Sequence, residues 1–149
     1  MRAVVQRVSR ARVTVDGKTT GEIGRGLAVL VGVANDDAER DAEQMAEKIV
    51  NLRIFNDAEG LMNHSLLDER GGVLLISQFT LHGDARKGRR PSFIGAAREE
   101  LARPLYARTG ALIESHGVSV AYGVFGAHMD VDLVNEGPVT ILIDTKKAF

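Results

Sequence analysis

Cysteine is missing from all 149 residues. Its absence removes disulfides, thiolate nucleophiles and zinc sites built on sulfur, and is compatible with a reducing cytosol. Charge of one sign is not in excess either. With 19 basic and 20 acidic side chains, overall charge gives no sign of a polyanionic partner, so any nucleic-acid contact must be local. Nothing approaches a membrane span. The opening segment MRAVVQRVSR interrupts its apolar residues with charges, unlike a signal peptide. The familiar catalytic signatures are also missing: there is no HExxH, no GxSxG, no P-loop and no Rossmann fingerprint, and GEIGRG at Gly21 to Gly26 reads as a turn before a strand. No internal repeat, low-complexity segment or linker breaks the chain.

What is present fits one domain over residues 1–149, long enough to bury about two-thirds of the surface its unfolded chain would expose. β-Branched residues recur from Ala3 to Val8 and from Arg12 to Val15, Asp16-Gly17 signals a turn, and Lys18 to Ile23 reads as the next strand. Leu27 to Val33 is continuously apolar, the pattern of a central strand buried on both faces. A helix is expected to start at a cap formed by Asn35 or Asp36 and to end near Arg53, with Ala38, Ala42, Met45, Ala46, Ile49 and Leu52 on its apolar face. Val73 to Leu81 reads as a strand. A second helix is expected from Ser92 to about His116, kinked or restarted at Pro104. Val118 to Val124, Met129 to Val134 and Val139 to Asp144 read as three further strands. The fold class is therefore α+β: a curved, largely antiparallel, barrel-like sheet packed against two main helices.

Two stretches stand out chemically. In VLLISQFTL, an apolar strand ends in Ser77, Gln78, Phe79 and Thr80, which places polar groups where a buried strand emerges. The bland reading is a strand exit whose hydroxyls bond nearby backbone. The chemical reading is a pocket floor. Thr80 has no base nearby in sequence and is a poor nucleophile alone, whereas backbone amides at the strand end can stabilise an oxyanion. In NEGPVT, Gly137-Pro138 reads as a turn by default, or as a stiff backbone surface with a special geometry. Arg86, Lys87, Arg89 and Arg90 form a basic loop, either a solvated turn or a phosphate contact. His128, Asp130 and Asp132 alternate on one strand face, but no further ligand cluster accompanies them, and a solvated face is the commoner cause. No metal or cofactor is expected.

These segments resemble, in order, those of the bacterial and eukaryotic D-aminoacyl-tRNA deacylases. The resemblance is carried by MRAVVQRVSRARVTVDG, LISQFTL, KGRRPSF, FGAHM and VNEGPVT, with SQFT and GPVT together the most specific; His82-Gly83 and Glu136 depart from the common pattern. It implies hydrolysis of the ester joining a D-amino acid or glycine to the terminal adenosine of tRNA, with L-aminoacyl-tRNA rejected, in the cytoplasm. It further implies a homodimer with active sites at the subunit interface. Ser77, Gln78, Phe79 and Thr80 of one subunit would face a cis Gly137-Pro138 of the other, with Arg7 bracing that dipeptide. Phe125, Ala127 and Met129 would line the adenosine pocket. The partners implied are aminoacylated tRNA and a second copy of the chain, not DNA or a membrane. The alternative is a non-catalytic RNA-binding or dimerisation module on the same scaffold.

Overall fold

The computed structural model describes residues 1–149. Strand β1 (Arg2–Val15) is continuous where the sequence suggests two strands, and it organises the sheet. Its first half pairs antiparallel with β3 (Gly26–Gly32) and its second half with β2 (Lys18–Ile23), while β8 (Asp130–Asp144) runs antiparallel along its other edge. From β3 the pairing becomes parallel, to β6 (Gly72–Ser77) and then β7 (Val120–Tyr122). The sheet nearly closes between β2 and β7: a Cβ on Gly21 would lie 2.6 Å from the Tyr122 carbonyl oxygen. The result is a mixed, barrel-like sheet, with the antiparallel pairs gathered on β1.

The continuous apolar runs of β3 and β6 follow from burial on both faces. Val29, Val31, Val73 and Leu75 face a core shared with the helices, while Ala28, Leu74 and Ile76 join Val8, Val13 and Ile23 in a second cluster. Each such fully buried aliphatic side chain contributes about 2 kcal/mol. Helix α1 (Glu39–Asn51) presents Ala42, Met45, Ala46 and Ile49 to the main core, as its periodicity predicts. Its start differs from the expected cap at Asn35 or Asp36. The N-cap position is Ala38, whose amide is accepted by Asp41 Oδ2 at 2.9 Å, and Ala38 itself is exposed.

The short strands β4 (Phe55–Asn56) and β5 (Met62–His64) form a separate hairpin, followed by the single-turn helix α2 (Leu66–Glu69). Helix α3 (Glu99–Ser115) starts later than expected and continues through Pro104 as one element. Pro104 is the sixth residue of α3 and deprives the ladder of the bond to the Glu100 carbonyl, yet the helix continues past it.

Three expected strands become two. Val118 to Val124 contracts to the three residues of β7, and the two strands expected between Met129 and Asp144 form the single strand β8, Asp130–Asp144. Pairing with β1 continues on both sides of the glycine-proline pair, which therefore does not end the strand.

Candidate active site

Strand β6 does not extend to Leu81. Its last ladder bond is the Gln78 amide to the Val31 carbonyl at 2.7 Å, and β3 ends one residue beyond Val31, leaving no strand to pair with. The chain then turns into a 3-10 segment, Phe79–His82. Leu81 N bonds Gln78 O at 3.3 Å, so the turn closes around Phe79 and Thr80, whose own amides open it and have no acceptor within it. Thr80 is exposed, and its hydroxyl accepts a hydrogen bond from Gln78 Nε2. No histidine, lysine or carboxylate bonds to it.

Beyond this turn lies a cavity of about 370 Å³, at the carboxyl ends of the parallel strands β3 and β6, where open α/β sheets commonly bind ligands. Ser77, Gln78 and Phe79 form its floor, and Phe125, Ala127 and Met129 another wall. The Phe125–Met129 segment is held by a turn in which Ala127 N bonds Val124 O at 3.1 Å, with Gly126 at φ +75°. A side chain at Gly123 would collide with the Met129 sulfur at 2.6 Å, so Met129 packs directly on that backbone.

The third wall comes from α3 and escaped sequence reasoning. Glu99, Ala102 and Tyr106 share one helical face by their spacing and all line the cavity. The Tyr106 hydroxyl donates to the Leu75 carbonyl at 2.7 Å, and burial pushes its pKa far up, so it serves as a neutral donor rather than a base. Tyr106 tilts against Phe125 with centroids 5.6 Å apart, and the Arg103 guanidinium lies 4.7 Å above the Phe125 ring. Arg103 is in turn held by Glu99 at 2.9 Å. At the end of the 3-10 turn, burial lowers the His82 pKa although a bond to the Gly32 backbone opposes it, and the buried Nε2 has no partner.

Arg7, Gly137 and Pro138 are not part of this cavity. Gln6 pairs with Thr140 and Val8 with Asn135, so Glu136 to Val139 bulge out opposite Arg7 alone. The Gly137-Pro138 peptide is cis. Gly137 has φ +126°, and a Cβ there would stand 2.9 Å from both Arg7 Nη2 and Val139 Cγ2, so only glycine fits. Arg7 is buried; its Nε donates to Glu136 O at 3.2 Å, and its Nη1 to Ile54 O at 2.7 Å and Asn56 Oδ1 at 3.3 Å. Asn135 ties the bulge from within, accepting the Val139 amide at 3.3 Å.

In the basic loop, Arg86 is engaged by Asp84 through bonds of 2.6 and 2.8 Å, and that guanidinium holds the Asp84 carboxyl well below its usual range. Lys87, Arg89 and Arg90 are exposed and form no ion pair. Asp132 is paired with Arg10 and Arg12, at 3.4 and 3.1 Å, while His128 lies at the cavity mouth, 4.0 Å from Asp130.

A cavity of this size, walled by Phe125 and Tyr106 and adjoining a turn whose first two amides have no acceptor within it, can hold a small aromatic ligand near donors suited to a developing oxyanion. Comparison with known proteins gives the class. A family model described as D-Tyr-tRNA(Tyr) deacylase matches residues 4–144. D-aminoacyl-tRNA deacylases from Koribacter versatilis and Fervidobacterium nodosum are 59% and 56% identical over 149 residues, covering all of both chains in each case. The fold of a solved c-Myc DNA unwinding element binding protein superposes with a TM-score of 0.91 at 40% identity, over 97% of this chain and 99% of that one. A probable eukaryotic D-amino acid tRNA deacylase shares the fold at a TM-score of 0.82 and 20% identity, over 95% and 97% of the two chains. The chain belongs to the D-Tyr-tRNA(Tyr) deacylase family, and it is an enzyme that removes D-amino acids from tRNA by hydrolysis.

Proposed function

We propose that the cavity takes the terminal adenosine of an aminoacylated tRNA and that the chain, as one catalytic domain, completes its site only as a homodimer. The observation that carries this is the separation of the two candidate halves: Ser77, Gln78 and Phe79 share one cavity with the Phe125–Met129 wall, Thr80 follows them on the same turn, and the Gly137-Pro138 bulge lies outside the cavity. The bulge sits on β8, which pairs only with β1 and leaves its outer edge free. Val131, Val134 and Leu142 on that strand are 39%, 41% and 59% exposed. A long, partly apolar free edge is a surface that proteins normally cover. A two-fold axis would present one subunit's bulge to the other's cavity.

In this arrangement adenine stacks on Phe125, beside Ala127 and Met129, and the ester carbonyl points at the Phe79 and Thr80 amides. These donors stabilise the oxyanion formed when water adds to the carbonyl. Thr80 is not the nucleophile, since its hydroxyl has Gln78 as partner and no base. The substrate's ribose 2′-hydroxyl helps to activate the water. The Gly137-Pro138 backbone captures the amino group and leaves room only for hydrogen where an L-residue carries Cβ. Glycine therefore passes and L-residues are refused by an unyielding wall. Lys87, Arg89 and Arg90, with Arg86 if it leaves Asp84, contact tRNA phosphates. The enzyme works where tRNA is charged and used, in the cytoplasm, and requires no cofactor.

The test is hydrolysis of matched D- and L-aminoacyl-tRNA, together with a D-substrate whose terminal ribose lacks the 2′-hydroxyl. Fast D-hydrolysis, negligible L-hydrolysis and binding without cleavage of the deoxy substrate are expected. If Thr80→Ala lost several orders of magnitude in rate with tRNA binding retained, the RNA-assisted route would fail. A second reading, nucleic-acid binding without catalysis, draws on the unpaired cations and on the DNA-binding name of the 40% identical neighbour. Equal inertness toward both enantiomers would favour it.

A further inference from the structure

Between the basic loop and α3, Phe93 to Arg98 serves neither the core nor the cavity, except for Ala97, which packs against the core and lines the cavity. Ile94 is 86% exposed and Phe93 38%. Ile94 is not on a loose loop. Its carbonyl accepts from Asn35 Nδ2 at 2.7 Å, the Gly95 carbonyl accepts the Asn35 amide at 3.2 Å, and Ala97 N bonds Val33 O at 2.9 Å. From Ile94 onward the backbone is thus pinned to the segment just after β3, with an apolar side chain held out in water.

This ledge joins the cavity at two points. Phe93 meets Phe79 edge-on, with centroids 5.2 Å apart and planes at 70°, and Phe79 is part of the cavity floor. Ala97, three residues beyond Ile94, belongs to the cavity wall. On the other side, Asp84 and Ser92 bond each other's backbone at 2.7 and 2.9 Å, closing the neck of the loop that carries Lys87, Arg89 and Arg90. Cavity, apolar ledge and free cations therefore follow one another along the surface. A cationic track with apolar or aromatic side chains interleaved is how proteins hold single-stranded nucleic acid, phosphates on the cations and bases on the apolar faces.

We infer that the Phe93–Ile94 ledge is a subsite for the unpaired nucleotide preceding the terminal adenosine of the substrate tRNA: its base rests on Ile94 and the exposed side of Phe93, and its phosphate lies toward Lys87, Arg89 and Arg90. The inference rests on the placement of the terminal adenosine in the cavity. Charge complementarity and continuity with the cavity select this occupant over a protein partner, whose apolar surface would not need the adjoining cations. The ledge has no sequence-reading polar group, so it senses the presence of a stacked base rather than its identity.

The experiment compares kcat/KM for a D-amino acid esterified to adenosine alone and to the trinucleotide ending in that adenosine, using wild type, Ile94→Asp and Ile94→Tyr. Ile94 is almost fully exposed, so neither substitution disturbs the core. Wild type should prefer the trinucleotide about tenfold, toward the low end of what a stacked base provides. Ile94→Asp should abolish that preference with the adenosine ester hydrolysed as before, and Ile94→Tyr should keep or increase it. Equal kcat/KM for the two substrates in wild type, or an Ile94→Asp loss that falls equally on both, overturns the subsite. Failure to hydrolyse even the adenosine ester refutes the cavity assignment itself and the subsite with it.

Discussion

Replacing Arg7 by methionine should weaken the enzyme more than it weakens the fold. Arg7 is 6% exposed and its guanidinium has no carboxylate partner; its hydrogen bonds go to Ile54 O at 2.7 Å, Glu136 O at 3.2 Å and Asn56 Oδ1 at 3.3 Å. Methionine keeps most of the packing volume and removes every donor. Ile54 is 5% exposed, so its carbonyl loses a charged partner with no water to replace it, a cost of about 1–3 kcal/mol. Glu136 is only half-buried and its carbonyl can rehydrate. Relief from burying an unpaired guanidinium offsets part of the loss. The net destabilisation should be about 2 kcal/mol, less than the 5–15 kcal/mol total of an ordinary domain. The protein therefore stays folded, and a urea titration should show a lower midpoint with the same slope.

The consequence for function is larger. Arg7 is the side chain opposite the Glu136–Val139 bulge, and without it the bulge keeps only its internal brace from Asn135. A chiral wall free to move should let kcat/KM for D-aminoacyl-tRNA fall at least tenfold, equivalent to about 1.4 kcal/mol, and should narrow the ratio of D to L rates. Arg7→Lys, which can reach one carbonyl but not both, should lie between the two. An Arg7→Met enzyme that is destabilised yet keeps the wild-type rate and D to L ratio would show that Arg7 supports only the fold.

Other perturbations give separate readouts. Burial tends to raise the Asp41 pKa, but hydrogen bonds from Thr145 Oγ1 and the Ala38 amide, with Lys146, outweigh it and lower it to about 2. A lowered carboxylate pKa stabilises the fold above the ordinary carboxylate value and loses that contribution as pH falls toward 2. Asp41→Asn should thus cost about 2 kcal/mol at neutral pH, and the gap from wild type should close between about pH 4 and pH 2 in urea titrations. Arg103→Ala removes the cation over Phe125, worth about 0.5–1 kcal/mol, so KM should rise about two- to fivefold with kcat unchanged; Arg103→Lys should recover part of the loss. Replacing Lys87, Arg89 and Arg90 together by alanine should flatten the dependence of log(kcat/KM) on log salt by about 2, since each single-strand phosphate left without its cation takes about 0.7 from the slope. An unchanged slope would remove the loop from the tRNA footprint.

Much of the framework was readable because burial leaves a direct mark on composition. The apolar runs of β3 and β6 reflect two buried faces, and the spacing of Ala42, Met45, Ala46 and Ile49 reflects one. What escaped depends on partners distant in sequence. SQFT continues a strand pattern, yet the chain turns after Ser77 because β3 stops, an event set by another segment. Gly137-Pro138 suggests a break, yet β1 pairs with β8 on both sides of it. Pro104 suggests a kink or a restart, yet α3 runs through it as one element. The Glu99, Ala102 and Tyr106 wall carried a usable signal in its helical spacing, hidden because Ala102 and Tyr106 also read as ordinary core positions. The tie from Arg7 to the bulge, expected only from the family resemblance, spans more than a hundred residues, and no local pattern encodes it.

The composite site can be measured by mixing two defective subunits. Phe79→Pro removes one amide from the start of the 3-10 turn, a position where proline is tolerated, and Gly137→Val places a side chain against Arg7 and Val139. Each variant alone should be nearly inactive toward D-aminoacyl-tRNA. After the two are unfolded and refolded together in equal amounts, half the dimers are mixed and each contains one site with both halves intact, so about a quarter of wild-type activity should return. Activity that stays at the level of the separate variants would mean that each subunit carries a whole site of its own.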